Sequence, residues 1–397
     1  METKTAACSN QEWLNQVYDK LLVKMKAECT RVGSNIPYTT GKDGKYHDIT
    51  ETPWGQGGSV GFWTNGFWPG MLWQMYEATG DEDYRKAAVG VEDRLDVLLS
   101  DSEMVDHDVG FLFLLSSVAN YRKTGDKEAR RRGLLAASTL AARYNLDGKF
   151  IRAWNDITAS YMGDVEKIRG WMIIDCMMNI PLLYWASEEL HDPRFKKIAI
   201  NHAKTAQKYI VRPDGSCNHI VEFDTETGEY RDNPGGQGYE QGSSWSRGQA
   251  WAVYGFALSY RHTGDVSFLD TAKQCAHYCI ANMAVTDWLP LVDYRAPVEP
   301  VKYDTTAAMC TACGLLEIAD HVGEHEKKFY IEAAYRILRA CDAKFANWNP
   351  EQDSIMNGGT FFYHDPTGAN TEVPIIYGDY YFIEAILRLK GKDLFEW

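Results

Sequence analysis

With 397 residues, 45% of them apolar and 24% charged, the chain has material for a large core, and no apolar run reaches the span of a membrane helix. Its 41 basic and 55 acidic residues leave a formal charge of -14, and without a basic stripe to displace counterions from phosphates, nucleic acid is excluded as a partner. Nine cysteines, an odd number scattered through apolar segments, fit reduced thiols better than a disulfide framework.

The first ten residues hold no hydrophobic signal core, so the expected compartment is the cytoplasm. Ala6-Ala7-Cys8 also fits the remnant of a lipoprotein cleavage site, the alternative being a periplasmic or lipid-anchored protein. Trp13, Val17, Leu21, Leu22 and Met25, three and four apart, predict an amphipathic helix over Gln11 to Arg31. A Gly- and Trp-rich stretch follows, 52–58 and then Trp63 to Gly70. It lacks the Gly-Lys-Ser/Thr of a phosphate loop, and its tryptophans suit either a flat wall for a sugar ring or core packing.

A phrase then recurs: Thr79-Gly80-Asp81, Thr124-Gly125-Asp126, Leu190-His191-Asp192, Thr263-Gly264-Asp265 and, more loosely, Val322-Gly323-Glu324. Gly ends one helix and Asp caps the next, so each copy marks the turn of a helical hairpin. With a last helix around Tyr380 to Lys390, these turns predict an all-α toroid of two concentric helix rings, one domain over residues 1–397. Only Cys217 to Phe223 and Thr360 to Tyr363 read as strand.

Loops at one end of such a toroid carry chemistry. In Asp106-His107-Asp108-Val109-Gly110 either aspartate suits a helix cap or a functional carboxylate. A second aromatic loop holds Trp154. The stretch Trp171 to Asn179 holds one acid, Asp175, in an otherwise apolar run read at helical spacing, with Arg169 its nearest base in sequence. Burial without a cation raises a carboxyl pKa, which suits a general acid; a buried aspartate accepting hydrogen bonds from a neighbouring helix fits equally. Further on, Ser243 or Ser244 can cap a helix whose first turn holds Arg247. Such a helix start with a guanidinium makes a carboxylate site, unless Arg247 pairs with an acid on another loop.

Cys310 and Cys313 have redox spacing but read as buried thiols, and His321 and His325 flank a hairpin glycine with no third ligand, so neither a metal nor a cofactor is expected.

These residues together resemble the unsaturated glucuronyl hydrolases. The resemblance spans nearly the whole chain and rests on Trp63 to Trp68, His107 to Phe111, Ile173 to Asn179, Gly238-Tyr239 with Ser244 to Trp251, and Ile376 to Tyr381. It implies an (α/α)6 barrel and removal of a terminal 4,5-unsaturated glucuronic acid from lyase-generated glycosaminoglycan oligosaccharides. It implies Asp175 as general acid and base and Asp108 as the second essential carboxyl group, with His107 orienting Asp108. It further implies His219, Gln237 and Arg247 as uronate and hydroxyl contacts, and Trp63, Trp154, Trp251 and Tyr377 lining the sugar sites. Some members carry Ser-x-x-Ser-x-Lys to receive a sulfate on the neighbouring sugar; here Phe362 to Thr367 has neither serine nor the lysine, and Asp365 repels such a group. The alternatives are a rhamnogalacturonyl hydrolase acting on pectin fragments and a non-catalytic sugar-binding toroid.

Overall fold

The computed structural model describes residues 2–51, 60–156 and 164–397, with side chains from Ser9 onward. The tryptophan stretch expected over 52–58 lies outside the described residues, as do the side chains of Ala6-Ala7-Cys8.

Helix α1 (Glu2–Val32) starts earlier than its apolar spacing indicates and buries Leu14, Val17, Leu21 and Met25. The hairpin turns then build the molecule. Between α2 (Phe67–Thr79) and α3 (Glu82–Leu95), Gly80 takes φ 72°, where a Cβ is costly, and the Asp81 carboxylate accepts from the Asp83 N–H. The same device follows the rod of α4 (Val109–Phe113) and α5 (Ala119–Thr124), joined through a π turn, Leu114–Val118. There Gly125 and Asp126 lead into α6 (Lys127–Ala142). His191 takes the glycine's place, at φ 52°, between α7 (Pro181–Leu190) and α8 (Pro193–Tyr209). Gly264 and Asp265 join α9 (Ser246–Thr263) to α10 (Val266–Ala284). The looser copy departs from the pattern. Between α11 (Thr305–Ala319) and α12 (Glu324–Phe345), Gly323 sits at φ -66° as an N-cap without a side-chain bond.

Helices α2, α4, α7, α9, α11 and α13 (Ile376–Lys390) are buried on nearly every side, α11 at every residue, whereas their partners bury a single stripe. A helix apolar all round belongs inside, and α9, α11, α13 and α2 pack in sequence as one inner wall. Helix α1 lies on α13 and supplies the outer member of the sixth pair. The result is the (α/α)6 barrel that the resemblance implies. Its geometry separates two ends: hairpin turns of a few residues at one, long connections such as 143–180, 210–245 and 346–375 at the other. Every long connection delivers the chain to the N-terminus of an inner helix, so the inner helices run in one direction.

These connections contain the only strands among the described residues. β1 (Tyr144–Asn145) pairs with β2 (Phe150–Ile151), and β3 (Trp171–Ile173), β4 (Ile220–Phe223) and β5 (Tyr230–Asp232) form an antiparallel sheet in that order. Two expectations change here. The run around Asp175 is not an α-helix: it pairs with β4, Trp171 opposite Glu222 and Ile173 opposite Ile220, and then enters a 3-10 turn, Ile174–Met178. Thr360 to Tyr363 forms no strand; a single bridge, Gly359 to Val373, stands beside it.

Candidate active site

Asp175 lies in the 3-10 turn that joins the sheet to α7. The Ile174 N–H donates to the His219 carbonyl at 3.1 Å, which locks the start of the turn against β4. Asp175 Oδ1 is buried with no hydrogen-bond partner. Burial pushes its carboxyl up to about 7, with Asp106 adding repulsion and Arg247 opposing it. The base absent from its sequence neighbourhood thus arrives from α9.

Asp108 is the N-cap residue of α4, yet its side chain makes no cap bond. Asp106 supplies a nearby turn instead, its Oδ1 accepting from the Asp108 N–H at 2.9 Å. The Asp108 carboxyl is free to accept from Asn179 Nδ2 at 2.9 Å. Burial, then Asp106 and Asp175, push it well above the ordinary carboxylate range, against Asn179 and Arg143. Buried acids that repel one another resist ionising together, so Asp106, Asp108 and Asp175 favour retention of protons in the site.

His107 is fully buried beside them, its Nε2 3.6 Å from Asp108 Oδ1, beyond hydrogen-bond reach, and neither ring nitrogen has a partner. Burial and then Arg143 push its pKa well below the ordinary value, so the ring is neutral. His219 is neutral as well, held to about 3 by burial and then Arg247. Its Nδ1 accepts from the Gln237 N–H at 3.0 Å, leaving Nε2 buried and unpartnered. Gln237 Nε2 donates to the Phe361 carbonyl at 2.7 Å.

Arg247 occupies the first turn of α9, whose N-cap is Trp245 rather than Ser243 or Ser244, both of which bind Asp293 instead. The guanidinium is already paired: Nη1 donates to Asp304 Oδ2 at 2.6 Å and the Thr360 carbonyl at 2.7 Å, and Nη2 to the Phe361 carbonyl at 2.6 Å. Nε remains unpartnered. The cation stands 4.4 Å over the Trp245 ring and 5.4 Å over that of Tyr377, and the structure shows the ion-pair reading of Arg247.

Trp63 is half-buried and lies 4.9 Å from the Tyr377 ring; Trp154 is half-buried and 5.7 Å from that of Trp171. Trp251 does not reach this surface: it is 1% exposed and packs behind it on Phe111 and Tyr381, a core residue. The cavity of about 830 Å³ between α6 and the β1–β2 hairpin contains neither Asp108 nor Asp175. Asp106, His107 and Asp108 bring ligand-type atoms within 4.8 Å of one another, but one Asp106 oxygen is engaged by backbone and the arrangement is a turn of consecutive residues. Cys310 and Cys313 are buried free thiols, and His321 binds Glu317 at 2.8 Å.

The arrangement combines a half-buried protonatable carboxyl, a second carboxyl, two neutral imidazoles with unpartnered nitrogens and aromatic walls. That combination suits proton transfer to a sugar ring. The Glycosyl Hydrolase Family 88 model matches residues 37–286. The chain belongs to glycosyl hydrolase family 88. Within this unsaturated glucuronyl hydrolase family, it is 37% identical to an unsaturated glucuronyl hydrolase of Bacillus sp. (strain GL1), over 95% of the chain and 97% of the relative. It is 32% identical to an unsaturated chondroitin disaccharide hydrolase of Streptococcus pyogenes serotype M1, over 96% and 92% respectively. A crystal structure of the Bacillus sp. GL1 enzyme, described as responsible for the degradation of glycosaminoglycan, superposes with a TM-score of 0.85 at 35% identity. That match covers 95% of this chain and 97% of the other. This family 88 chain is thereby an enzyme of the barrel class already described.

Asn179, Asp106, Trp245 and Asp304 acquire roles that their sequence context does not announce. Only Asp106 carried a local signal, its place in Asp-His-Asp.

Proposed function

We propose that this enzyme hydrates the C4=C5 double bond of a terminal unsaturated glucuronic acid and so releases it from glycosaminoglycan-derived oligosaccharides. The observation that carries this is the half-buried Asp175 carboxyl, its Oδ1 enclosed and unpartnered, poised at about 7. An enol ether is nucleophilic at C4, so protonated Asp175 delivers a proton there and positive charge develops at C5, shared with the ring oxygen. The Asp175 carboxylate then takes a proton from a water attacking C5. The hemiketal opens and expels the aglycone, with no covalent sugar intermediate. The neighbouring Asp108 favours retention of that proton. His219, Gln237 and Arg247 Nε bind the uronate and hydroxyls, and Trp63 and Trp154 line the sugar sites; Tyr377, 0% exposed, is corrected from lining residue to the packing behind Trp63.

For the neighbouring sugar we infer an unsulfated position at the 362–367 stretch. Asp365 is spent on its own turn, accepting from the Thr367 and Asn370 N–H groups, and nearby Lys302 donates to the Tyr363 carbonyl while standing 4.6 Å over the Tyr363 ring. The barrel acts as one catalytic domain. Among the described residues no helix is long and apolar enough to cross a membrane, and eight buried free cysteines support a reducing, cytoplasmic setting.

The test is ultraviolet absorbance of unsaturated glucuronyl disaccharides, because hydration destroys the conjugated chromophore. Wild type is expected to remove it and Asp175→Asn to leave it. Faster turnover of a rhamnose-linked pectin disaccharide would overturn the substrate class, and absence of turnover on every substrate would leave a sugar-binding toroid.

A further inference from the structure

The first turn of α4 poses a problem of accounting. An aspartate at the N-cap normally spends its carboxylate on the N–H of the second or third helical residue. Asp108 occupies that place and does not do so. The third helical N–H, that of Phe111, donates instead to Asn179 Oδ1 at 2.7 Å, across 68 residues of sequence. The amide orientation follows: with Oδ1 taken by an N–H donor, Nδ2 must face the other way, where it donates to Asp108 Oδ1 at 2.9 Å and the Asp175 carbonyl at 3.2 Å. Asn179 is fully buried, so no solvent competes. Room for it depends on Gly110, because a Cβ there would stand 2.5 Å from Asn179 Cα.

We propose that Asn179 is a positioning residue that caps α4 in place of Asp108, and so holds the Asp108 carboxyl in the site beside Asp175. One amide satisfies the helix with its oxygen and orients the carboxyl with its nitrogen. Without it, the Phe111 N–H loses its acceptor and the Asp108 carboxyl its donor, and the carboxyl is no longer held towards the substrate. The groups that face Asp108 are Asp106 and His107 on its own loop, Asp175 and Cys176 on the 3-10 turn, and Arg143 after α6. Asn179 is its sole side-chain hydrogen-bond donor among the described residues. Losing that donor therefore moves the ionisation of Asp108 to higher pH.

The kinetic arm of the test rests on the hydration reading above; the structural arm does not. Asn179→Ala removes both functions of the amide, whereas Asn179→Asp keeps an acceptor for Phe111 and removes the donor to Asp108. Asn179→Ala is expected to lower kcat by roughly 10- to 100-fold with KM little changed, the scale of a displaced catalytic group. Its crystal structure should show the Asp108 carboxyl displaced from its wild-type position. In Asn179→Asp the Phe111 N–H keeps an acceptor, but Asp108 loses its donor and gains a carboxyl neighbour, so kcat falls and the acid limb of the pH profile moves up. Unchanged kcat and pH limb in Asn179→Asp would overturn the proposal, as would an Asn179→Ala structure with Asp108 unmoved. Should Asn179→Ala not fold, Asn179→Asp decides alone. If the wild type hydrates no unsaturated disaccharide, the functional reading fails, and the position of Asp108 in the Asn179→Ala crystal still decides this inference.

Discussion

Two acids, Glu317 near the hairpin end of the barrel and Asp175 at the loop end, are treated in opposite ways. At the hairpin end, Glu317 is fully buried but accepts from His321, Arg261 and Arg388, two of these bonds being 2.8 Å (His321 Nε2 and Arg388 Nη2) and one 2.5 Å (Arg261 Nε). Burial would raise its pKa, but the His321 hydrogen bond and the Arg388 and Arg261 charges win and hold it far below the ordinary range. Glu384, alongside, accepts from Tyr254 and from Trp397 Nε1, yet burial still raises its carboxyl, since these donors offset the burial only in part. At the loop end, Asp175 has burial without such a shell and moves the other way, to about 7. Burial alone does not decide what a carboxyl does. The surrounding donors decide it: a saturated acid is a strut, an unsaturated one a reagent.

This contrast can be broken from either end. The largest effect is expected at Asp175. Asp175→Asn should lower kcat by on the order of 10²- to 10⁴-fold, as loss of a general acid does, with circular dichroism unchanged. Glu317→Gln should do the reverse. It leaves Arg261 and Arg388 without their shared partner and should cost about 3 kcal/mol in urea melts, with kcat per folded molecule unaltered. A smaller effect sharpens the comparison through pH. The folded-state pKa of Asp175 is raised, so the native state holds a proton that the unfolded chain releases, and stability from this group is lost as pH rises from about 4 through about 7. Asp175→Asn should therefore melt higher than wild type at pH 8 and equally near pH 4. The gain should reach on the order of 1–3 kcal/mol, short of the full linkage because the residue is partly exposed. Wild-type activity, needing the protonated form, should fall above about pH 7. The smallest effect belongs to a hairpin: Asp126→Ala loses bonds to the Glu128 and Ala129 N–H groups and should cost about 1 kcal/mol, read as a small drop in Tm without change in kcat.

The same two ends explain what could be read from sequence. The hairpin end was legible because its determinants are local: a residue able to take positive φ followed by an aspartate two residues before the N–H it caps. Asp175 was legible too, as a lone acid among apolar neighbours. What surrounds it was not. The strand Trp171–Ile173 exists because β4, some fifty residues on, pairs with it, and helical spacing carries no trace of that pairing. Sequence left Arg247 open between an anion receptor and an ion pair because its counter-ion, Asp304, comes from the cap of a different helix, 57 residues away. Trp251 looked like a sugar platform, but on an inner helix buried nearly all round most aromatic positions face other helices. Asn179 stood at the end of an apolar run with nothing nearby to explain it, since Asp108 lies 71 residues earlier.

The common direction of the inner helices has an electrostatic consequence. Each helix carries partial positive charge at its N-terminus, and here those termini surround one mouth. A molecule with a formal charge of -14 would repel a uronate at long range, and at the mouth the aligned peptide dipoles oppose that repulsion. The backbone of the inner helices thereby adds a contribution favourable to anions at the mouth, alongside the Arg247 guanidinium.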